Sequence, residues 1–315
     1  MLQSAKKTPK TDKTPAQKKK PGRPRKNPIR EHGIRHGISA SPHDPENQVE
    51  FVYDEPTIFK KIWNYTKSMA IESLQIIFRP TEVIIYGEDH SQKSQVRVCL
   101  NAKQLNHYYC SESIECGIFN KVVEPIMSAI DETYNKLIIN VETKNARKSF
   151  KIILSNDIEI DEERRVELIA NYPKIADEER FLDGDYTLKF DLPGKYFKKM
   201  LSNVRLFSDQ ITIRQDSPTD YLMFEYKNTL KRICSKNVVK NNKKIRLQSA
   251  LSEGETFHLN FKIDYIKPIS TALATETIAI WAHETKSLAF IVALDNGTAE
   301  VKILTDLSTT KGSAI

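Results

Sequence analysis

Lysines set at helical spacing are the chemistry this sequence displays most openly. Read as a helix, the segment after Pro56 puts Lys60, Asn64 and Lys67 at i, i+4 and i+7, with Lys61 beside them. Ile58, Phe59, Ile62, Tyr65 and Met69 then form the apolar side. A second segment repeats the plan: Phe197, Met200, Leu201 and Val204 turn inward, while Lys195, Lys198, Lys199 and Ser202 turn outward. Both polar faces carry lysine and no glutamate, whereas a merely solvated face usually mixes signs. An unmixed ammonium face suits phosphate, which it meets without reading bases. For either helix alone, a solvated face is the competing reading.

Other reactive groupings are sparser. His107, Cys110 and Cys116 are close in sequence, but their spacing suits no common zinc motif, so buried free thiols are expected and no metal site. No phosphate loop, G-x-S-x-G or H-E-x-x-H occurs, so neither an enzyme nor a cofactor is expected. Asp183-Gly184-Asp185 reads as a turn before a strand rather than a metal pair.

Charge is distributed unevenly. The net charge is +7, yet residues 1–40 hold twelve Lys/Arg against Asp12 and Glu31, so the remainder is slightly acidic. Up to about Gln48 the chain has almost no large apolar residues and is expected to be disordered. Within it, Lys20-Pro21-Gly22-Arg23-Pro24-Arg25-Lys26 resembles an AT-hook, with Arg23, Arg25 and Lys26 as candidate minor-groove contacts. Non-specific phosphate attraction or a nuclear-import signal fits the same residues. The longest apolar runs, 74–78 and 288–294, are strand-length, so no membrane span is expected. Lys6 and Lys7 precede no apolar stretch, so an intracellular, non-secreted protein is expected.

The body contains an internal duplication with an offset of about 140 positions. Phe51-Val52-Tyr53-Asp54-Glu55-Pro56 leading to Phe59-Lys60-Lys61 is answered by Leu188-Lys189-Phe190-Asp191-Leu192-Pro193 leading to Phe197-Lys198-Lys199. Each reads as a strand, an Asp helix cap, a Pro in the first turn and a helix. Glu124-Pro125-Ile126 is answered by Lys267-Pro268-Ile269, and 137–144 by 277–286. Each half thus has two short helices. Strands are expected at 74–78, 83–86, 95–100, 137–141 and 150–154, then at 210–214, 222–226, 245–247, 277–281 and 288–293. The class is α+β.

Over about residues 49–308 this arrangement resembles the proliferating cell nuclear antigen (PCNA) family of DNA sliding clamps. Phe59-Lys60-Lys61 with Lys67 is similar to that family's first helix, Tyr109-Cys110 with Gly117-Ile118 to its central strand and second helix, 186–197 to the start of its second domain, and 256–266 to the approach to its fourth helix. Segments 51–60 and 106–109, with the Gly-Arg-Pro-bearing tail, resemble the PCNA-like protein of African-swine-fever-type large DNA viruses.

The resemblance implies two tandem clamp domains, with antiparallel sheets outside and two helices each lining the inner face. The expected divisions are a tail at 1–48, domains at 49–169 and 186–308, a connector at 170–185 and a flexible end at 309–315. It implies a head-to-tail homotrimer around double-stranded DNA, acting as a processivity factor for a DNA polymerase and other replication or repair enzymes at viral replication sites, in a cytoplasmic factory or the nucleus. The DNA contacts it implies are Lys60, Lys61, Lys67, Lys199 and, nearby, Lys198 and Arg205. Lys195 joins them from the helix face, Lys121 and Lys267 from the second and fourth helices. Loop lysines Lys236, Lys240, Lys243 and Lys244 would supplement pore charge. Subunits are expected to pair through Arg164, Val166 and Leu168 of one copy and Ile211 and Ile213 of the next. Asp89, His90, Ile175, Phe181, Leu182 and Leu304 are expected to frame a groove for partner peptides. Two alternatives stay open: a non-enzymatic transcription or chromatin factor working through the tail, and an open, monomeric processivity factor.

Overall fold

The computed structural model describes residues 47–110, 112–142, 149–156, 161–175, 186–217, 221–227, 234–240, 245–283 and 287–306. Helix α1 (Thr57–Ser68) forms where apolar side chains recur every three to four residues, burying Ile58, Phe59, Ile62, Trp63, Tyr65 and Thr66. Each large apolar side chain so covered contributes about 1.5–3 kcal/mol. Pro56, at φ −65°, occupies the N-cap with no side-chain cap, which corrects the expected role of Asp54. A proline already fixes the entry φ, and the Asp54 carboxylate instead accepts a hydrogen bond from Asn106 Nδ2 at 2.9 Å. The second half does the same: β10 (Leu188–Pro193) contains Asp191 inside the strand, and α3 (Gly194–Arg205) follows Pro193 with no side-chain cap.

Each half runs strand, helix, five strands, helix, three strands. In the first, β1 (Asn47–Tyr53) and α1 precede β2 (Ser73–Arg79), β3 (Glu82–Glu88), β4 (Ser94–Asn101), β5 (His107–Cys110) and β6 (Ile114–Phe119); then come α2 (Asn120–Ser128), β7 (Tyr134–Glu142), β8 (Ser149–Asn156) and β9 (Asp161–Glu167). In the second, β10 and α3 precede β11 (Gln210–Gln215), β12 (Tyr221–Lys227), β13 (Cys234–Lys240), β14 (Leu247–Ser249) and β15 (Phe257–Lys262); then come α4 (Ile263–Ala272), β16 (Thr277–Ala282), β17 (Ser287–Leu294) and β18 (Ala299–Asp306). β1 includes Asn47 and Gln48, which precede the expected start of the first domain. Lys236 and Lys240, expected in a loop, belong to β13.

The duplication governs the sheets. A five-stranded sheet has the order β5-β1-β7-β8-β9, and its counterpart β14-β10-β16-β17-β18 continues directly into β4-β3-β2-β6 to make nine strands. The remaining sheet is β13-β12-β11-β15. All pairings are antiparallel, and the two halves join where β18 pairs with β4, from Ala299 opposite Leu100 to Thr305 opposite Ser94. Alternating residues of these strands, among them Val96, Val98, Val301 and Ile303, point to one continuous core beneath the helices. One consequence is arithmetic. The strands that duplicate β18 and β4 are β9 and β13, and each is the last strand of its sheet.

Candidate nucleic-acid interface

The four helices lie side by side in the order α2, α1, α4, α3, with α1 packed against both α2 and α4. α1 and α3 therefore present their lysines from one row. α3 buries Gly194, Phe197, Met200, Leu201 and Val204, leaving Lys195 and Lys199 exposed and Lys198 half-buried. α2 buries Asn120, Val123 and Met127, with Lys121 exposed and its ammonium 5.8 Å from the centre of the Phe119 ring. α4 buries Ile263, Ile266, Ile269 and Ser270, and Lys267 is exposed. All nine basic residues expected at the inner face thus lie on this row.

Their environments differ. Lys60 is half-buried and donates to the Ile130 carbonyl just beyond α2, at 2.9 Å. Lys61 pairs with Glu276 at 3.1 Å, Lys67 with Glu124 at 2.7 Å and Arg205 with Asp264 at 3.1 Å. The hydrogen bond from Lys67 holds the Glu124 carboxyl below the usual carboxylate range, helped by the Ser128 hydroxyl. Lys121, Lys195, Lys198, Lys199 and Lys267 make no ion pair with the described residues. Sequence reasoning missed Glu276 and Asp264 altogether, because neither sits at helical spacing from the cation it meets.

Sheet geometry corrects the expected subunit edge. β11 is bonded on both sides, to β12 and β15, and Ile211 and Ile213 are wholly buried. They belong to the core; β13 and β15 are the end strands of this sheet. β9 ends its sheet, with Val166 turned inward and Arg164 outward, 3.4 Å from Glu162. Leu168 follows β9 and packs on the core. Large apolar side chains are exposed at both ends of the helix row: Phe119 and Val122 beside α2, Tyr196 on α3, and Val238 on β13. A hollow of about 210 Å³ separates α3 from β12 and β13, lined by Tyr196, Met200, Tyr226 and Asn237.

No protein-family model matches the chain. Two African swine fever virus proteins, from a pig isolate of Kenya and a warthog isolate of Namibia and each described as uncharacterized, are 30% identical to it over 288 residues, 87% of this chain and 93% of theirs. The chain belongs to the family of these viral proteins. Its fold is that of PCNA: the crystal structure of PCNA from Thermococcus kodakaraensis matches 82% of this chain and 99% of its own length, with a TM-score of 0.68 at 16% identity. PCNA from Entamoeba histolytica matches 84% of this chain and all of its own length, with a TM-score of 0.67 at 14% identity. This member of the viral family is therefore α+β, with two clamp domains in tandem.

The described residues expected at the partner groove line a polar cavity and an apolar cluster in this member of the viral family. Asp89 and His90 line a polar cavity of about 330 Å³ with Glu72, Glu88, Asn171 and Tyr172. Leu304 instead joins Tyr86 and Ala289 in a small apolar cluster on the sheet, packed by Ile175, Tyr186 and Trp281. The Ile175 amide donates to Gln75 Oε1 at 2.8 Å. Phe181 and Leu182, like the tail residues Arg23, Arg25 and Lys26, Lys243 and Lys244 and the Asp183/Asp185 pair, lie outside the described residues. The imagined metal site is not assembled. His107 Nε2 lies 2.9 Å from Glu50, Cys110 donates to the Glu112 carbonyl at 3.0 Å, and Cys116 is directed at the Ile76 carbonyl at 3.7 Å. Among the described residues no helix is long and apolar enough to cross a membrane.

Proposed function

We propose that this protein is a non-enzymatic DNA sliding clamp: a closed homotrimer that encircles duplex DNA and tethers a DNA polymerase and other replication or repair enzymes. One observation carries the reading. Within the chain, β18 pairs with β4 beneath the α1–α4 contact; the duplicates of those strands, β9 and β13, are each bonded along one side to a strand of the described residues, and the duplicates of those helices, α2 and α3, end the helix row. The same junction made in trans sets β9 and α2 of one copy against β13 and α3 of the next. Such head-to-tail contacts, repeated until they close, leave neither β9 nor β13 at a sheet edge. Phe119, Val122, Tyr196 and Val238 are then covered. The resemblance supplies the number three.

Closure turns the basic row toward the hole, where lysines meet phosphates without sequence preference and the ring slides. The apolar cluster of Tyr86, Ala289 and Leu304, bordered by Ile175, is the surface assigned to partner peptides, with the Asp89–His90 cavity as a polar flank. Sites of viral DNA replication are the assigned location.

Retention on circular against linear duplex DNA tests this. A ring stays on closed circles and on linear DNA with blocked ends, and runs off free ends. Equal retention on all three, or retention that vanishes when residues 1–45 are deleted, would overturn the reading in favour of surface binding or binding through the tail.

A further inference from the structure

Among the described residues, each seam of the helix row carries one ion pair, and its two members come from the two sides of the seam. Lys67 of α1 meets Glu124 of α2; Lys61 of α1 meets Glu276, in the turn after α4; Arg205 of α3 meets Asp264 of α4. At the first two seams the cation is the exposed member. The Lys67 and Lys61 side chains are 61% and 53% exposed, against 17% and 15% for Glu124 and Glu276. At the third the carboxylate is the more open, at 67% against 45%.

The pairs are not mere echoes of the duplication. Lys67 and Arg205 are equivalent, each eight residues after the phenylalanine of Phe-Lys-Lys. Their acids are not: the helix position of Glu124 is Lys267 in the second half, and that of Asp264 is Lys121 in the first. The same cation is thus met by a carboxylate from a different turn of the neighbouring helix.

We propose that Glu124, Asp264 and Glu276 are built-in competitors of the DNA phosphates, which keep Lys67, Arg205 and Lys61 neutralised until a phosphate displaces the carboxylate. The inference rests on the reading of the helix row as the DNA face. Exposed ion pairs are weak and screened by salt, so the exchange is easily reversed. The standing charge on the row is then that of Lys60, whose partner is a neutral carbonyl, and of Lys121, Lys195, Lys198, Lys199 and Lys267, with three of the six on α3. Contact with the duplex is led by α3, and the seam cations are recruited and released as the backbone passes. Grip is traded for mobility.

The test compares the full chain with E124Q/D264N/E276Q for binding of a labelled duplex by anisotropy across a salt series. The variant is expected to bind roughly 2- to 5-fold tighter per freed cation. Its plot of log affinity against log salt is expected to steepen by about 0.9 for each additional phosphate neutralised. E112Q/E253Q/E255Q changes net charge equally, at exposed residues away from the row, and is expected to leave the slope alone. Adding K61Q, K67Q and R205Q to the first variant should abolish the tightening. An unchanged slope, or an equal tightening in the control, overturns the proposal. Should the triple variant fail to fold, D264N alone, at an exposed carboxylate, carries the same comparison at one seam. Failure of the wild-type chain to bind duplex or to be retained on circles would count instead against the clamp reading.

Discussion

Arg97 of β4 stands directly opposite Lys302 of β18 across the strand pair that joins the two halves, and each is only 9% exposed. Like charges in register oppose pairing. Here they are offset by neighbours: Glu82 lies 4.0 Å from Arg97 and 3.0 Å from Arg79, and Lys302 lies 3.6 Å from Glu300 and over the Trp281 ring. Burial alone would raise the Glu82 carboxyl, but hydrogen bonds from Cys99 and Arg79 and the Arg97 charge bring it below the usual range. The Arg97 Nε has no acceptor among the described residues.

Removing Arg97 and removing Glu82 should therefore have opposite effects. Arg97→Met is expected to be neutral or mildly stabilising, since an apolar side chain of similar length needs no partner. Glu82→Ala, which strands two guanidinium groups, should cost about 1–3 kcal/mol. Because Glu82 has a depressed pKa in the folded state, its contribution is full above the ordinary carboxylate pKa and is lost as pH falls through the folded value. Urea unfolding of the wild type and of Glu82→Gln between neutral and acidic pH checks this, the variant showing the flatter profile.

The repeated Phe-Lys-Lys segments separate stability from the proposed DNA contact. Lys60 donates to the Ile130 carbonyl, whereas Lys199 makes no ion pair with the described residues. Lys60→Ala is expected to lower stability by about 0.5–1.5 kcal/mol through the lost bond, with a fall in Tm. Lys199→Ala should leave Tm unchanged and weaken retention on circular DNA.

Ala70 ends α1 at φ 53°, with its amide bonded to the Lys67 carbonyl at 3.0 Å and the Ile71 amide to the Thr66 carbonyl at 3.1 Å. Glycine fits this left-handed position without the cost of a Cβ. Ala70→Gly is expected to raise stability by up to about 1 kcal/mol, readable as a higher urea midpoint at constant m. A lower midpoint would mean that the entropy glycine adds to the unfolded chain dominates.

Charges placed at the two free margins should prevent assembly without unfolding the subunit. Val238 on β13 and Phe119 before α2 are 42% and 44% exposed, so Val238→Glu with Phe119→Glu, which sets like charges against each other across the junction, disturbs little within the chain. Sedimentation velocity is expected to give a single assembled species for the wild type and a monomer for the double variant, with matching circular dichroism. An oligomer that survives both changes would place the subunit contact elsewhere.

Much of the fold is written locally. The apolar stripes of α1 and α3 follow from side-chain spacing alone, and the repeated Phe-Lys-Lys and Glu/Lys-Pro-Ile segments betray the duplication without coordinates. β9, whose sequence is Asp-Glu-Glu-Arg-Arg-Val-Glu, has little strand propensity and is recognisable only through the resemblance; pairing along the whole of β8 holds it extended. Asp54 reads as a helix cap because aspartate before proline usually is one, yet Asn106, 52 residues later, takes its carboxylate.

By itself, then, the sequence determined the two-copy plan, the α+β class, and which helix faces are basic, since each depends on residues near one another in the chain. Only the tertiary structure decided that Ile211 and Ile213 are interior while β13 lies at a sheet margin, that Ile175 and Leu304 join an apolar cluster while Asp89 and His90 line a polar cavity, and that Lys61, Lys67 and Arg205 face carboxylates. Whether a strand is last in its sheet, or a lysine has an acid close by, depends on which distant segment packs beside it. Residue spacing along the chain carries no record of that.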